Sequence, residues 1–325
     1  MIKISKNVLL SKHSNYRIGG KAKYFFEAKT VKEIKDAILW AKANKQKVFI
    51  LGGGTNLLFS DKGYNGLVLK VSINHLKAKG ERIFVGAGVS IEDLLKFSAQ
   101  KKLSGLEWAG GLPGALGGAI RGNAGAFKGE TKDNIESVES FNIKTLEVEI
   151  CKNKACQFSY RTSFFKKKDG EFIITAATIK LKKGNTKQIQ ALIDDKIKFR
   201  KAKHPLEFPN SGSVFKNTPL SQVLKEKTLE YKEGVRQASF NLRGTTVPVK
   251  NDPFPVIPTA FLISAAGLKG TKSGGAMIST KHPNFIINVS GAKATDILAL
   301  IKLIKVTLKR KFGLKVEEEV QIVGY

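Results

Sequence analysis

The feature that most constrains this chain is the stretch Ala109–Gly129, in which glycine recurs every few residues. Glycine adds no side chain to a hydrophobic core, and it lets another backbone or a ligand approach closely. The stretch must therefore lie against something large and flat or against other main chain. A shorter run, Gly52–Asn56, directly follows the apolar residues Val48–Leu51 and has the same property.

Both glycine runs are suited to binding phosphate. Backbone N–H groups that a tight turn leaves unpaired can donate to phosphate oxygens. The shorter run is not a P-loop, because no Gly-Lys-Ser/Thr sequence follows it, and Gly86-Ala87-Gly88 lacks the third glycine of a dinucleotide fingerprint. A plain tight turn is the alternative for the shorter run alone. Two glycine loops beside a sheet together predict a dinucleotide cofactor whose pyrophosphate is bound by main chain.

The chain is strongly basic, with 56 lysines and arginines against 27 acidic residues and a formal net charge of +29. Such a charge attracts nucleic acid, anionic lipid and polyanionic small molecules. The basic residues are spread along the whole chain, without zinc-finger spacing or an aromatic RNA-binding motif. We therefore expect a lysine-rich solvated surface with a basic cleft for nucleotides, and no nucleic-acid partner. A basic, non-catalytic nucleic-acid-binding protein is the alternative from another class.

The sequence predicts a cytoplasmic protein with no membrane partner. No apolar run approaches the roughly 20 residues that a membrane helix needs. The N-terminus has too short an apolar run for a signal peptide. Cys151 and Cys156 have no histidine near them in the sequence, so they predict two reduced thiols rather than a metal site.

Helical and strand patterns alternate along the chain, which predicts an α+β fold. Thr30 and Glu33 have the spacing of a capping box at the start of a helix. A polar helix is predicted over Thr186–Lys203. Thr295 is expected to cap a closing helix, and Gly313 is expected to end it.

The C-terminal part of the chain has weaker signals. Thr218–Pro258 shows neither helical nor strand periodicity and is expected to be irregular. A last strand is predicted over Val316–Val323, in which side chains would alternate between two faces. Glu317 and Glu319 would then share one face, and Glu318 would take the other.

A series of short motifs occurs along the chain, and these are Asn15–Gly20, Leu51–Leu58, Ala109–Gly129, Tyr160–Ser163, Pro209–Asn217, Ala265–Gly270, Lys281–Phe285 and Glu317–Val320. The series resembles the UDP-N-acetylenolpyruvoylglucosamine reductase family, within the wider fold of vanillyl-alcohol-oxidase-like flavoproteins. The resemblance covers nearly the whole chain except Thr218–Pro258, and the shared order and spacing make it specific. The chain is similar to the second form of the family, because Phe164–Leu181 is short and lacks the tyrosine-bearing loop of the first form.

The resemblance implies an α+β fold, in which a two-domain FAD-binding module is followed by a C-terminal α+β substrate domain. We place the two FAD-binding subdomains at residues 1–75 and 76–205, and the substrate domain at 206–315. A last strand at 316–325 could join the first subdomain. The segment at about 218–258 is longer than the family pattern, which predicts an insertion that acts as a lid, an oligomer contact or a neutral surface loop. The oligomeric state stays open.

The resemblance also implies a reaction in peptidoglycan synthesis. NADPH reduces non-covalently bound FAD, and hydride then passes to C3 of UDP-N-acetylglucosamine enolpyruvate. A proton added at C2 completes UDP-N-acetylmuramate. Hydride addition creates an enolate that needs fixed donors, and C2 needs an acid within reach. Another FAD-dependent oxidoreductase of the same fold, acting on a sugar or an alcohol, is the alternative.

Three residues match the catalytic positions of the family. By the resemblance, Arg161 holds the enolate, Glu319 pairs with it, and Ser213 protonates C2. Arginine suits its role because its planar fork binds a carboxylate through two bonds. A glutamic acid can donate to an enolate only while it is protonated, so its site would have to raise its pKa. His282 and Asn284 fall in a matching motif whose role stays open.

The resemblance further assigns binding residues. Asn217 matches the family's substrate amide, and Lys203 is expected to meet the UDP diphosphate, with Arg200 and Lys201 as alternatives. The residues expected to bind FAD are Gly52, Gly53, Gly54, Thr55, Asn56, Gly110, Gly111, Pro113, Gly114, Gly118, Asn123 and Gly125.

Overall fold

A computed structural model describes residues 2–226 and 239–325, and its first region is a mixed sheet with one helix. The elements are β1 (Ser5–Leu9), β2 (Lys21–Ala28), α1 (Val31–Ala43), β3 (Val48–Leu51), β4 (Leu57–Phe59) and β5 (Tyr64–Val71). The sheet order is β1-β2-β5-β3, and β5 runs parallel to both of its neighbours. The predicted capping box of α1 is confirmed, because the Glu33 N–H donates to Thr30 Oγ1 at 3.1 Å.

The second region is an antiparallel sheet covered by helices. Its elements are β6 (Leu76–Lys79), β7 (Arg82–Gly86), α2 (Ile91–Gln100), β8 (Leu103–Ser104), α3 (Leu116–Gly122), β9 (Gly125–Ala126), β10 (Gly129–Glu130), β11 (Ile135–Asn142), β12 (Glu147–Lys152), α4 (Phe164–Lys167), β13 (Phe172–Lys180), β14 (Lys182–Lys183) and α5 (Thr186–Lys203). The main sheet has the order β12-β11-β13-β7-β6. α5 has the predicted bounds, and the Asn185 side chain caps it by accepting from the Lys187 N–H at 2.9 Å.

One hydrophobic core joins these two regions. Leu67 and Leu69 of β5 are fully buried in the same cluster as Ile83 and Val85 of β7. Strands that are buried on both faces have continuous apolar sequences, and Gly66–Leu69 is such a run. Because the core is shared, the loops that leave the two sheets lie next to each other.

The third region surrounds the long helix α8. Its elements are β15 (Thr218–Pro219), α6 (Leu220–Glu226), β16 (Ser239–Leu242), β17 (Thr245–Pro248), β18 (Lys250–Asn251), β19 (Pro255–Ile257), α7 (Thr259–Ala265), β20 (Lys272–Ser273), β21 (Ala276–Ile278), β22 (Ile286–Asn288), α8 (Ala294–Phe312) and β23 (Gln321–Val323). The apolar stripe of α8 is buried in a second core. Gly313 ends this helix as predicted, with φ of +71° in the left-handed region.

The start of α8 differs from the prediction that Thr295 caps it. The helix begins at Ala294, so Thr295 lies inside its first turn. The N–H groups of Ala294 and Thr295 donate instead to the two carboxylate oxygens of Asp61, at 2.8 and 3.2 Å. A capping residue from a distant part of the sequence satisfies the same free N–H groups as a local one.

The segment Thr218–Pro258 also differs from the prediction that it is irregular. Its described residues form β15 to β19 and α6, and β16 pairs with β17 as an antiparallel hairpin. Val223, Val247 and Ile257 are fully buried in the core that α8 also enters. The described part of this segment is therefore core structure and not a surface loop, whereas residues 227–238 of the expected insertion lie outside the described residues.

The predicted strand over Val316–Val323 is wrong in its first half. Pairing with β4 begins at Gln321, where β23 runs parallel to it. Before that point, the Glu319 N–H donates to the Val214 carbonyl oxygen at 2.7 Å. The three glutamates therefore lie along the segment that contains Ser213, and the proposed domain boundaries stay a prediction.

No helix within residues 2–226 or 239–325 is both long enough and apolar enough to cross a bilayer. α8, which has 19 residues, carries lysines along its length.

Candidate active site

A cavity of about 1330 Å³ lies where the three regions meet. Pockets for one small ligand typically measure roughly 300–1,000 Å³, so this cavity has room for more than one ligand group. The two glycine loops line one side of it. The turn at Tyr160-Arg161, the segment around Ser213 and the segment around Glu319 line the other.

The two glycine loops touch each other through main chain. A Cβ atom added at Gly53 would lie 2.8 Å from the Cα of Gly114 and 2.9 Å from the nitrogen of Ala115. Gly54 has φ of +67°, and a Cβ there would collide with the carbonyl oxygen of His13. Glycine is therefore required at both positions, since any side chain would force the loops apart.

The same loops have the properties of a pyrophosphate cradle. The backbone N–H groups of Gly52, Gly53 and Gly54 donate to no acceptor within the described parts of the chain. A Cβ at Gly118 would meet no protein atom within 4 Å, so this residue borders open space. Unpaired N–H groups beside such space can bind phosphate oxygens. The residues present therefore fit FAD.

Most of the residues predicted to bind FAD line the cavity, but Gly110 and Asn123 do not. Gly110 lies behind the loop, where its carbonyl oxygen accepts from Arg200 Nε at 2.8 Å. Asn123 is buried in a left-handed conformation, and its Nδ2 donates to the Ser159 carbonyl oxygen at 3.1 Å. Both residues fix the conformation of the glycine-rich stretch through hydrogen bonds, without lining the cavity themselves. The lining residues are Gly52, Gly53, Gly54, Thr55, Asn56, Gly111, Pro113, Gly114, Gly118 and Gly125.

Arg161 lies at the tip of a tight turn. Ser159 and Thr162 exchange two backbone hydrogen bonds of 3.1 Å, which leaves Tyr160 and Arg161 at the turn. Arg161 has φ of +54°, a left-handed conformation that non-glycine residues adopt at a cost on the order of 1 kcal/mol. Its Nη2 donates to the Gly125 carbonyl oxygen at 2.8 Å, and its guanidinium lies 5.1 Å from the centre of the Tyr160 ring.

Arg161 forms an ion pair with Glu319 at the cavity wall. The Nε and Oε1 atoms are 2.9 Å apart, and the two side chains are 19% and 23% exposed. The N–H of Nε lacks hydrogen-bond geometry, so the contact is an ion pair rather than an aligned hydrogen bond. The two residues predicted to act together on the enolate are therefore in contact, although they lie in distant parts of the sequence.

Ser213 is held next to this pair by the backbone around it. It follows Gly212, which has φ of +77°, and it precedes Val214, whose carbonyl accepts the Glu319 N–H. The buried Asn284 side chain binds both sides of Phe215, since it accepts from the N–H at 3.1 Å and donates to the carbonyl oxygen at 2.8 Å. The motif of Asn284 left its role open, and in the structure this residue fixes the backbone next to Ser213.

Asn56 connects the glycine side of the cavity to Glu319. Its Nδ2 donates to the Glu319 carbonyl oxygen at 3.0 Å. Its own carbonyl oxygen accepts from the Gln321 N–H, also at 3.0 Å. The C-terminal segment is thereby tied to the loop that is expected to hold FAD.

Asn217 is placed as predicted at the cavity, but Lys203 is not. The Asn217 N–H donates to the Tyr160 hydroxyl at 3.3 Å, and its Oδ1 accepts from the Thr259 N–H at 3.2 Å. Lys203 and Lys201 are exposed to solvent and are not among the residues that line the cavity.

Arg200, the third basic residue of that helix end, does line the cavity, but its Nε is used to hold Gly110. Burial lowers the pKa of Arg200 to about 10. Of the three basic residues predicted at this helix end, Arg200 is therefore the one that lines the cavity.

The segment predicted to be an insertion supplies part of the wall. The Lys128 N–H donates to Asp252 Oδ1 at 3.1 Å, and the rings of Phe254 and Tyr160 lie 5.0 Å apart, edge to face. Lys250 and Asp252 line the cavity. These residues were missed because they lie in a stretch without periodicity, where a sequence gives no indication of what it contacts.

Two partly buried histidines form a cluster in which His204 lines the cavity. The His204 and His282 rings are 5.3 Å apart, and the Phe285 ring contacts both. Burial lowers the pKa of His282 to about 4, and burial together with the neighbouring His282 lowers that of His204 to about 4. Both rings are therefore neutral at neutral pH.

Comparison with known proteins identifies two matching family models. An FAD binding domain matches residues 22–145, and the C-terminal domain of UDP-N-acetylenolpyruvoylglucosamine reductase matches residues 204–323. The second match begins close to the end of α5 and includes Ser213 and Glu319. The first includes both glycine loops.

Relatives match the chain over nearly its full length. The UDP-N-acetylenolpyruvoylglucosamine reductase of Caldanaerobacter subterraneus subsp. tengcongensis is 35% identical over 99% of this chain and 94% of its own. The reductase of Listeria innocua is 33% identical over 99% of this chain and 96% of its own. A crystal structure of the Thermus caldophilus enzyme covers 99% of both chains with a TM-score of 0.75 at 27% identity.

These matches confirm the predicted fold, an FAD-binding module followed by a C-terminal α+β domain. They also confirm FAD and NADPH as its cofactor and reductant. The chain belongs to the UDP-N-acetylenolpyruvoylglucosamine reductase family and is an FAD-dependent oxidoreductase of peptidoglycan synthesis.

Proposed function

We propose that this chain reduces UDP-N-acetylglucosamine enolpyruvate to UDP-N-acetylmuramate, and that Arg161, Glu319 and Ser213 act on the substrate. The observation that carries the proposal is the Arg161–Glu319 ion pair, 2.9 Å long, in a cavity that the glycine loops also line. A cationic group fixed beside a carbon acceptor is what stabilisation of an enolate requires. An oxidase of the same fold that acts on an alcohol has no need of such a pair.

The main chain of the glycine loops would hold FAD, since Gly52, Gly53 and Gly54 have unpaired N–H groups and Gly118 borders open space. When bound, FAD supplies the ability to take up hydride from NADPH and to release it to a carbon atom. The close contact of Gly53 with Gly114 keeps the two loops at a fixed separation. No side chain of these loops is needed for the redox chemistry.

Arg161 stabilises the charge that develops on the substrate. Hydride addition to C3 breaks the double bond and moves its electron pair toward C2 and the carboxylate, which then carries an additional negative charge. The guanidinium is held by the Gly125 carbonyl oxygen, by Glu319 and by the Tyr160 ring. A group that is already oriented needs no reorganisation when the charge appears, so its effect falls mainly on the transition state.

Ser213 donates the proton that C2 receives. Its hydroxyl is at the cavity wall, and its backbone is tied to Glu319 through Val214. Serine is a weak acid, so it acts only when the carbon next to it becomes strongly basic, as the enolate does. Asn217 binds a polar group of the substrate from the same segment.

Three further statements stay predictions. The cytoplasmic location, the absence of a nucleic-acid partner and the assignment to the second form of the family rest on the sequence. The oligomeric state stays open. Nucleic-acid binding and the oligomeric state can be measured on the purified protein, and the location by fractionating cells that contain it.

The proposed roles are tested by separating the two half-reactions anaerobically in a stopped-flow instrument. Ser213→Ala is expected to leave the reduction of bound FAD by NADPH nearly unchanged and to slow reoxidation by the enolpyruvate substrate by about 10²–10⁴-fold. Ser290→Ala, at an exposed position of the same region, is the matched control and should behave as wild type. If Ser213→Ala slows both half-reactions equally, Ser213 is not a dedicated proton donor.

A further inference from the structure

Lys166 is a cation at the cavity wall that the proposed mechanism leaves unused. It lies on the short helix α4 and is partly buried, and its Nζ donates to the carbonyl oxygen of Arg161 at 2.9 Å. Within the described residues, no carboxylate lies within ion-pair distance of Lys166. Its neighbour Lys168, by contrast, pairs with Glu171 at 3.6 Å.

The charges around Lys166 are almost balanced without it. Arg121 pairs with Asp169 at 2.8 Å, Lys216 with Glu317 at 2.9 Å, and Arg161 with Glu319 at 2.9 Å. Each of these cations therefore has its own carboxylate, and each lies close enough to Lys166 to influence it, as does Glu319. The uncompensated positive charge of this cluster is thus the ammonium of Lys166.

An uncompensated cation in a partly buried position is unfavourable. Removing an ammonium group from water costs free energy unless an opposite charge or hydrogen bonds replace the water. Burial, together with Lys216 and Arg121, lowers the pKa of Lys166. The carbonyl of Arg161 occupies one of the three N–H groups of the ammonium, which leaves two donors at the cavity. Such a group has the properties of a binding site for an anion.

We infer that Lys166 binds the carboxylate of the enolpyruvyl group and supplies the net positive charge of the site, an inference that rests on the proposed function. Arg161 cannot supply that net charge alone, because Glu319 offsets it. Lys166 contacts the main chain of the same residue whose guanidinium faces the cavity, so the two cations lie beside one anion site. Its bond to the Arg161 carbonyl also stabilises the left-handed turn.

Two other anions could occupy the site by the same chemistry, the phosphates of NADPH and the diphosphate of the UDP-sugar. The half-reactions distinguish them. A lysine that serves NADPH affects the reduction of FAD. A lysine that serves only the diphosphate weakens the binding of UDP-N-acetylglucosamine, which lacks the enolpyruvyl group, whereas a carboxylate-binding lysine leaves that affinity unchanged.

The test compares Lys166→Met, Lys166→Arg and the matched control Lys167→Met, which alters an exposed lysine of the same helix. All are used as holoenzymes, and their flavin content and thermal midpoints are measured first. We expect Lys166→Met to slow reoxidation by the enolpyruvate substrate by about 10²-fold, the usual effect of removing one fixed donor. Reduction by NADPH and the affinity for UDP-N-acetylglucosamine should stay within two-fold of wild type, and Lys167→Met should behave as wild type.

Dependence on pH separates a charge effect from a structural one. Because the pKa of Lys166 is lowered, wild-type reoxidation should slow as the pH rises and the ammonium loses its proton. Arginine stays charged in this range. Lys166→Arg should therefore recover much of the rate and lose this alkaline decline.

Several results would overturn the inference. They are wild-type reoxidation in Lys166→Met, an equal loss of the NADPH half-reaction, a weakened affinity for UDP-N-acetylglucosamine, and an alkaline decline that persists in Lys166→Arg. If Lys166→Met does not fold, the comparison of pH profiles between wild type and Lys166→Arg decides alone. Failure of the wild-type enzyme to be reoxidised by the enolpyruvate substrate would instead refute the proposed function.

Discussion

The two sides of the cavity are built in different ways. The FAD side consists of main chain from two glycine loops, which approach so closely that a Cβ at Gly53 would lie 2.8 Å from the Cα of Gly114. The substrate side consists of side chains from separate parts of the sequence, among them Arg161 and Glu319. Those two are held by their ion pair, and the Asn284 amide holds the backbone of Phe215 beside Ser213.

This difference predicts two kinds of sensitivity to mutation. On the FAD side, an added side chain displaces backbone, so the effect is close to all or none. On the substrate side, removing a side chain leaves the backbone in place. Each such substitution therefore lowers the rate of one reaction step and leaves the others unchanged. Substitutions on the first side should therefore change cofactor content, and those on the second should change reoxidation.

The largest effect is expected for Gly53→Val. Its side chain cannot fit against Gly114 and Ala115, so the loops must separate, and the purified protein should contain almost no flavin. Gly118→Ala is the control, because its Cβ meets no protein atom within 4 Å. It should leave the thermal midpoint of the flavin-free protein unchanged while weakening FAD binding. The measurement is the ratio of flavin absorbance to protein absorbance. A Gly53→Val protein with its full flavin content would show that FAD binding does not depend on the close contact of the two loops.

The next effect concerns the three glutamates. Glu319→Ala should slow reoxidation by about 10²–10³-fold and weaken substrate binding much less, because Arg161 loses the ion pair that orients it toward the enolate, whose charge appears only during the reaction. Glu319→Gln keeps the size of the side chain and should be milder. Glu318→Ala should be within about two-fold of wild type, since Glu318 pairs with Lys305 on α8.

Stopped-flow reoxidation of alanine variants at Glu317, Glu318 and Glu319 checks this expectation. A large loss at Glu317 or Glu318, with Glu319→Ala near wild type, would show that the wrong glutamate has been assigned.

A smaller effect is expected for Asn284→Ala. The substitution leaves the buried N–H and carbonyl of Phe215 without their side-chain partner, which should lower the free energy of unfolding by about 1–3 kcal/mol. It should also slow reoxidation by roughly 10-fold, because Ser213 loses its support. Asn288→Ala is the matched control, since Asn288 is also buried and bonded, to Tyr16 and Ala292, but does not line the cavity. It should destabilise the protein without slowing reoxidation, and equal slowing in both variants would show that Asn284 acts only through stability.

The smallest effect concerns pH and the two histidines. The pKa values of His204 and His282 are lowered to about 4, so between pH 6.5 and pH 4 the unfolded chain binds protons that the folded protein does not. Stability is therefore retained above pH 6.5 and decreases as the pH falls. With allowance for solvent screening, the loss between pH 7 and pH 5.5 should be about 1 kcal/mol for the pair. Denaturant unfolding of the holoenzyme at both pH values measures it, and a double glutamine variant that keeps the full pH dependence would contradict it.

Local patterns in the sequence were enough to predict those features that depend on neighbouring residues. The helix over Thr186–Lys203, the capping box at Thr30 and the end of α8 at Gly313 follow from hydrogen bonds and conformations within a few residues. The glycine loops belong to the same class, because the absence of a Cβ is a property of the residue itself. The site residues Arg161, Ser213 and Glu319 were proposed from motifs and their order, and the structure brings them together.

Only the tertiary structure decided the features whose partners are distant in the chain. Asp61 caps α8 in place of Thr295, and the Val214 carbonyl rather than a neighbouring strand receives Glu319. Lys203 does not line the cavity, whereas Lys166, one of three consecutive lysines, does. The reason is physical: a periodic pattern reports which face of an element is buried, but a hydrogen bond or ion pair depends on the position of both partners in space. These positions are set only when the chain folds, so a local sequence pattern does not give the distance between the two partners.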